Sequence, residues 1–412
     1  MKIIPFSPPY IDKDVISEVN QTLTSGWITT GPKVKLLEEE FNNYINCQKT
    51  VCVNSWTSGA ILVLKWLGIG KGDEVLIPAY TYSATALAIL HVGAKPVFID
   101  VMSDFTIDYK QIENKINLKT KAIIPVDFAG WPCDYDEINK IISKKNIKKL
   151  YNPKNNIQNK FNRIVVISDA AHSFGAIYKE KKIGILTDVT IFSLHAVKNL
   201  TTAEGGAICL NLPKSFNVEA VYKDLKLLSL NGQTKDALSK NIPGAWKYDI
   251  ISQGLKINMP DICAAIGLAQ IRKYDNKILL KREIVAITYL EYFKKFNFIQ
   301  LPSLTNLNKS TKSSFHIFPI KFVGITENQR DQIIDEISKE SISVNVHFIP
   351  LPLLSLFKKL GYKMKDYPVS YDNYSREISL PIYPQLTKSQ IKFICKIVIK
   401  SYNKVIADTI IK

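Results

Sequence analysis

Lys198 stands where a lysine can do covalent chemistry. It lies within residues 187–210, TDVTIFSLHAVKNLTTAEGGAICL, after a β-rich run at 189–194 and before a second short strand expected at 207–210, beside Gly205 and Gly206. Burial between two strands disfavours the charged amine and lowers its pKa from about 10.4. An uncharged lysine attacks an aldehyde and can hold a carbonyl cofactor as a Schiff base. Ser193, five residues earlier, offers a hydroxyl to a phosphate. On this stretch alone the plainer reading, an ordinary turn lysine, stays open.

A second constellation bears on that choice. Residues 163–176 read RIVVISDAAHSFGA, a continuous apolar strand that ends in Ser168 and Asp169. Open α/β sheets put their ligands at such strand ends. Pyridoxal phosphate needs an acid against its ring nitrogen, and Asp169 suits that place. His172 could lie against the ring or hold a cofactor oxygen. The other reading of Asp169 is a helix N-cap ahead of AAHSFGA. Further back, a short strand at 50–54 turns through Ser55 and Trp56 into a helix, AILVLKWLGI. Hydroxyls and free N–H groups at a helix start form an anion site, so Thr57 and Ser58 make a candidate phosphate cradle or, more simply, an N-cap. Tyr82 closes EVLIPAYTY, where an aromatic can stack on a flat ring or fill a core.

DAAH together with FSLHAVKNLTTAEGG resembles the DegT/DnrJ/EryC1/StrS family of sugar aminotransferases, and the likeness runs from SGWITTGP near the start to SLPIYPQLT near the end. These are fold-type I enzymes that depend on pyridoxal 5′-phosphate. The resemblance implies that Lys198 holds the cofactor; a dehydratase branch of the family carries histidine there, so transamination is expected rather than dehydration. It implies Asp169 at the ring nitrogen, Tyr82 on the ring, and Thr57, Ser58 and Ser193 near the phosphate. GLKINMPD, residues 254–261, resembles a loop that reaches across a dimer to the partner's cofactor phosphate. Lys256 and Asn258 stand there where many relatives have Asn and Arg. SGWITTGP is expected to approach the neighbouring site. His316 and His347 match positions near the substrate cleft, although either can be structural; Trp27, Tyr82 and Phe348 could face a sugar ring or base. Trp56 replaces a common glycine. Asp127 stands where histidine is frequent and is assigned no role.

The implied enzyme is a homodimer that moves an amino group from L-glutamate to a keto group of a nucleoside-diphosphate sugar. A 4-keto-6-deoxy hexose bound for a surface polysaccharide is the expected acceptor. Alternatives are a 3-keto acceptor, a dehydratase or lyase on the same fold, and a regulatory binding protein. Retention of Lys198, Asp169 and the hydroxyl cradle argues against the last.

The elements that must position these residues are legible as a pattern. Strands alternate with helices over 50–210, which predicts a mostly parallel sheet sandwiched by helices. The expected fold is α/β, of the pyridoxal-phosphate-dependent transferase fold type I. A large cofactor-binding domain is expected over 1–275 and a smaller α+β domain over 276–412. Helices are expected to start at Ile11 or Asp12 and at Pro260 and Asp261. Residues 144–160, rich in Lys and Asn, read as a solvated insertion.

The 412 residues, 46% hydrophobic and 22% charged, describe a globular chain. No apolar run reaches membrane-spanning length, and the start, MKIIPFSPPYIDKD, is no signal peptide, so a cytoplasmic protein with no membrane partner is expected. The six cysteines lack CxxC spacing and are expected to be mostly buried free thiols; no metal site is expected. The net charge of +17 admits a nucleic-acid partner, but the lysine clusters carry no RNA motif, so none is expected. Attraction of a small anion is a modest further use.

Overall fold

A computed structural model describes residues 3–235, 243, 244 and 246–410. Twelve strands occur among them: β1 (Lys49–Val53), β2 (Glu74–Pro78), β3 (Lys95–Ile99), β4 (Thr120–Ile123), β5 (Val165–Asp169), β6 (Ile177–Tyr178), β7 (Lys181–Lys182), β8 (Val189–Ser193), β9 (Gly206–Leu210), β10 (Ile299–Gln300), β11 (Phe318–Phe322) and β12 (Glu377–Leu380). Seven form one sheet in the order β1-β9-β8-β5-β4-β2-β3. Only β9 runs against the others, pairing antiparallel with β1 and β8.

The strands are mostly apolar between their ends because both faces are covered, as parallel sheets require. Successive side chains feed opposite faces. Leu76, Val166 and Phe192 join Leu37, Phe41, Ile138 and Leu268 in one core. Val75, Ile77, Val165, Ile167 and Ile191 join Val63, Ile89 and Leu225 in the other. The expected α/β sandwich is therefore the observed one. Parallel pairing brings the C-terminal ends of β1, β2, β4, β5 and β8 to one edge.

A second, three-stranded antiparallel sheet, β10-β11-β12, packs Ile320, Phe322, Ile378 and Leu380 against Tyr289, Ile333, Ile337 and Val398. A capping box between Thr326 and Gln329 starts the helix Glu327–Lys339. Tyr274 and Ile278 belong to the first core, whereas Val285 and Phe293 belong to this one, so the chain changes core along a continuous helical run. The two bodies also exchange segments. Ile4 pairs with Ile342 and sits in the C-terminal core, while Leu351 and Phe357 pack under the large sheet.

Two local expectations need correction. Residues 170–176 form turns, not a helix, so Asp169 caps a turn rather than a helix. Residues 144–160 are not simply solvated. They form the helices Lys145–Leu150 and Asn156–Phe161 and bury Ile147, Tyr151, Gln158 and Phe161. The Gln158 amide donates to the Leu67 carbonyl at 2.9 Å, and Lys154 meets the Asp73 carboxylate at 2.6 Å. The other expected starts hold: Asp12 caps the helix Lys13–Thr24, and Pro260 precedes Asp261–Ile271. Asp261 additionally accepts from the backbone of Gly31, Lys33 and Val34, tying the SGWITTGP loop to this helix.

Candidate active site

At the shared strand edge lies a cavity of about 390 Å3. Lys198 and Asp169 both line it. Asp169 is the last residue of β5 and is buried. One carboxylate oxygen accepts from the Thr85 hydroxyl at 2.8 Å and the other from the Ala171 N–H at 3.2 Å. Burial pushes its pKa up to about 7, opposed by those two hydrogen bonds and by Lys198. Lys198 sits in the turn after β8, with its N–H donating to the His195 carbonyl at 2.9 Å. Burial lowers its amine to about 8, and the Asp169 carboxylate resists that fall. An acid and an amine whose pKa values converge in one cleft mark a site built for proton chemistry.

The turn holding Lys198 is fixed from several sides. Leu194 donates to the Gly205 carbonyl at 2.8 Å, and Thr202 donates to the Leu194 carbonyl at 2.9 Å. Next to Lys198, the Asn199 amide donates to the Ser314 carbonyl at 2.7 Å, and its oxygen lies 2.9 Å from His316 Nδ1. At Gly206 a Cβ would come within 2.6 Å of the Ser55 carbonyl group and 2.8 Å of the Trp56 nitrogen. Only glycine lets β9 pass so close beneath the next helix start.

That start, at the helix Trp56–Trp66, is the stretch expected to cradle an anion, but its hydroxyls divide differently from expectation. Ser55 is the N-cap; its oxygen accepts from Ser58 N–H at 3.1 Å, and its hydroxyl donates to Ser58 Oγ at 2.9 Å. Ser55, Thr57 and Ser193 line the cavity, whereas Ser58 is turned into the cap and does not. Trp56 is buried and donates its indole N–H to the Ile191 carbonyl at 3.0 Å, which locks the helix start onto β8.

Tyr82 lines the cavity and is 62% exposed, its ring 5.7 Å from that of Phe348; the core aromatic of this stretch is Tyr80, fully buried. His172 is buried, and its Nδ1 accepts from the Ala129 N–H at 3.2 Å, which leaves the ring proton on Nε2. Burial, Lys198 and His347 hold it well below the ordinary imidazole range. The His316 ring stands 4.4 Å away and is held down in the same way. Both line the cavity, as do His347 and Phe348.

Besides Ser58, three further expected residues are not brought to this cavity. Trp27 donates its indole N–H to the Thr30 carbonyl at 3.3 Å. Asn258 donates to the Thr30 hydroxyl at 2.5 Å, and Lys256 donates to the Asn258 carbonyl oxygen at 2.7 Å. They form a separate cluster joining two loops. Sequence reasoning also missed residues that are present. Phe6 and Ser7 line the cavity, and Phe6 stacks on His347 at 5.3 Å. Asp127, given no role, is fully buried. It accepts from Cys133 N–H at 2.9 Å and from the hydroxyls of Tyr135 and Ser173 at 2.7 Å each. Its own N–H donates to the Asp169 carbonyl at 3.1 Å, so it braces the end of β5. The one available signal was the acid that ends the apolar run KAIIPVD.

The donor set matches pyridoxal phosphate: an amine, a buried carboxyl, hydroxyls at a helix start and a flat aromatic wall. The sequence pattern of the DegT/DnrJ/EryC1/StrS aminotransferase family matches residues 9–151 and 155–399. The "Spore coat polysaccharide biosynthesis protein SpsC" of Bacillus subtilis is 35% identical over 398 residues, 94% of each chain. A "UDP-4-amino-4-deoxy-L-arabinose--oxoglutarate aminotransferase" of Shewanella sediminis is 34% identical over 399 residues, 95% of this chain and 96% of that one. Among solved structures, the "Putative sugar aminotransferase Spr1654" of Streptococcus pneumoniae in its PMP form superposes with a TM-score of 0.93 at 42% identity, covering 98% of this chain and all of that one. The same protein in its PLP form also has a TM-score of 0.93.

Proposed function

We propose that this chain, which belongs to the DegT/DnrJ/EryC1/StrS aminotransferase family, carries an amino group from L-glutamate to a nucleoside-diphosphate 4-keto-6-deoxy hexose during the building of a surface polysaccharide. The observation that carries this reading is the pairing of Lys198 with Asp169 in one cavity. That the chain is a pyridoxal-phosphate-dependent aminotransferase follows from its family and from the PLP and PMP forms of its structural neighbour. The sugar nucleotide is supported by the names of the relatives, one a UDP-amino-sugar–oxoglutarate aminotransferase, the other a polysaccharide biosynthesis protein. Glutamate is the amino counterpart of that oxoglutarate.

When bound, the cofactor supplies an electron sink for charge developing at the donor carbon. Lys198 Nζ would anchor it, and as a free amine would take the proton from the donor's Cα as a general base, which its lowered pKa permits. Asp169 would hold the ring nitrogen in its protonated form. Ser55, Thr57 and Ser193, with the free N–H groups of the helix Trp56–Trp66, would hold the phosphate. Tyr82 and neutral His172 would supply contacts to the ring.

A homodimer with shared sites belongs to the same reading. Its support is the Lys256–Asn258–Thr30 cluster, which would meet the partner's phosphate, and the exposed Ile16, Leu23, Ile28 and Leu36 on and between the helices Lys13–Thr24 and Pro32–Ile45. So does the division at about residue 275, supported by the change of core between Ile278 and Val285. Cytoplasmic placement is supported by six free cysteines; among the described residues no helix is long and apolar enough to cross a membrane.

The test is incubation with L-glutamate and a panel of 4-keto and 3-keto nucleotide sugars, read by mass spectrometry. The 4-keto-6-deoxy compound should gain an amino group alongside 2-oxoglutarate. Amination of only the 3-keto compound moves the chemistry one carbon. Nitrogen exchange between free amino acids and 2-oxo acids, with no sugar aminated, defeats the reading.

A further inference from the structure

Behind one wall of the cavity lies a buried polar chain that the transamination scheme does not use. β12 places Glu377 and Ser379 two residues apart on one face of the strand. Glu377 is fully buried. One of its oxygens accepts from the backbone N–H of His347 at 3.0 Å, and the other accepts from the Ser379 hydroxyl. Ser379 Oγ in turn lies 2.9 Å from His347 Nδ1. Asn345 and Ser379 exchange two backbone hydrogen bonds, at 2.7 and 3.2 Å, which fix the register of the two segments. His347 lines the cavity, and its Nε2 has no protein partner among the described residues. The Tyr80 hydroxyl donates to the His347 carbonyl and holds the segment from the other side.

We propose that Glu377 and Ser379 decide which ring nitrogen of His347 carries its proton, and so exchange a proton between a group bound in the cavity and a carboxyl buried behind it. The proposal rests on the reading of this cavity as the aminotransferase site. Two settings of the chain satisfy every donor. With Glu377 ionised, Ser379 donates to the carboxylate, His347 Nδ1–H donates to Ser379, and Nε2 presents a lone pair to the cavity. With Glu377 protonated, the carboxyl donates to Ser379, Ser379 donates to Nδ1, and Nε2–H faces the cavity as a donor. A bound hydroxyl converts the first setting into the second. Its O–H bond breaks as Nε2–H forms, the Nδ1 proton passes to Ser379 Oγ, and the Ser379 proton passes to Glu377. One negative charge crosses from the carboxylate to the bound oxygen, and the reverse sequence returns it. Glu377 and Ser379 touch no substrate; they are positioning residues acting through His347.

The surrounding charges suit an exchangeable proton. Burial pushes Glu377 up to about 8, opposed by the Ser379 hydroxyl, the His347 N–H, Arg330 and Lys321. Tyr80 faces the same carboxyl, and Tyr374 stands against Arg330 and Tyr80. His347 itself is driven down to about 3 by burial and by Lys198, so its ring stays neutral and only its tautomer changes.

The test uses holoenzyme labelled with 15N in its five histidines, with His347 assigned from the His347→Gln spectrum. Wild type should show the Nε2–H tautomer well below pH 8 and the Nδ1–H tautomer well above it. In Glu377→Gln the amide NH2 replaces the acceptor facing Ser379 and should lock Nε2–H at every pH. Ser379→Ala should uncouple the tautomer from pH. A His347 tautomer indifferent to pH and to both substitutions overturns the proposal. A second arm compares half-reactions. Glu377→Gln should lower kcat/KM for a UDP-linked 4-keto-6-deoxy hexose about tenfold, the worth of one hydrogen bond to a charged group, and leave the L-glutamate half-reaction unchanged. Equal losses in both make Glu377 a fold residue and overturn the proposal. If wild type aminates no keto-sugar, the functional reading fails, and the tautomer measurement still decides the relay.

Discussion

Lys198 and Asp169 hold opposite protonation problems in one cleft, and each answers to the other. The Lys198 amine must be neutral to take up an aldehyde, so cofactor uptake by the apo protein should rise with pH and level off above about 8. Asp169 resists the fall in that pKa through its charge. Asp169→Asn should therefore move the midpoint of uptake to lower pH, measured by the growth of the bound-cofactor absorbance. Borohydride should fix the cofactor on Lys198, and peptide mapping that found it on another lysine would sink the assignment. Lys198→Ala should abolish turnover. Stability runs the other way from activity at Asp169. Its folded pKa, about 7, lies above the ordinary carboxylate value of 3.8, so between these values the folded state binds more protons and stability falls as pH rises. At pH 8 that carboxylate is a burden on the empty protein. Asp169→Asn should raise the Tm of the apo form at pH 8 while slowing transamination by orders of magnitude. A variant with lower Tm and normal turnover contradicts both statements.

At the scale of elements, the site is a meeting of strand ends with one helix start, and the tightest contact is between backbones. Gly206→Ala would force a Cβ against the Ser55 carbonyl group, which is not a flexible side chain and cannot step aside. It should separate β9 from the helix Trp56–Trp66 and weaken cofactor phosphate binding, read as a higher Kd for pyridoxal phosphate. Ser55→Ala removes the cap, which should cost about 1 kcal/mol of stability, and with it one hydroxyl of the phosphate cradle, so it should also raise that Kd. The sequence could be read as far as local order carries chemistry. A carboxylate at the end of RIVVISD and an amine in a strand–turn–strand are local facts, and the fold kept them. It could not show which of three neighbouring hydroxyls turns back into the cap, because Ser55, Thr57 and Ser58 all stand at the same helix start and only their side-chain directions separate them. Phe6 reaches the site only through a contact with distant His347, Glu377 lies behind the wall, and the role of Asn199, although it is next to Lys198, depends on far-off Ser314 and His316, so no spacing announces them. The Lys/Asn-rich run misled for a related reason: its charge is conspicuous, whereas Ile147, Tyr151 and Phe161, which anchor it, are sparse.

For the whole molecule, the two bodies are joined by crossing segments as well as by one helix. Trp27, Lys256 and Asn258 lie outside the cavity of their own chain, so a shared site makes a sharp prediction. Lys198→Ala protein mixed with a Lys256→Ala/Asn258→Ala double variant should regain activity, because one site of each mixed dimer carries neither lesion. Mixed dimers without rescue would show that each chain works alone.

The pairing of Ile4 with Ile342 sets the order in which the cavity can be completed. Phe6 stacks on His347, which lies far beyond it along the chain and well after β9. The large sheet can close once β9 is made, yet its cleft lacks a wall until the distant partner of Ile4 emerges. A nascent chain therefore carries Lys198 and Asp169 into a half-built, open groove and gains an enclosed one only after His347 has been made. The segment around Ile4 and Phe6 is made before its partners Ile342 and His347, yet it finds its seat after both.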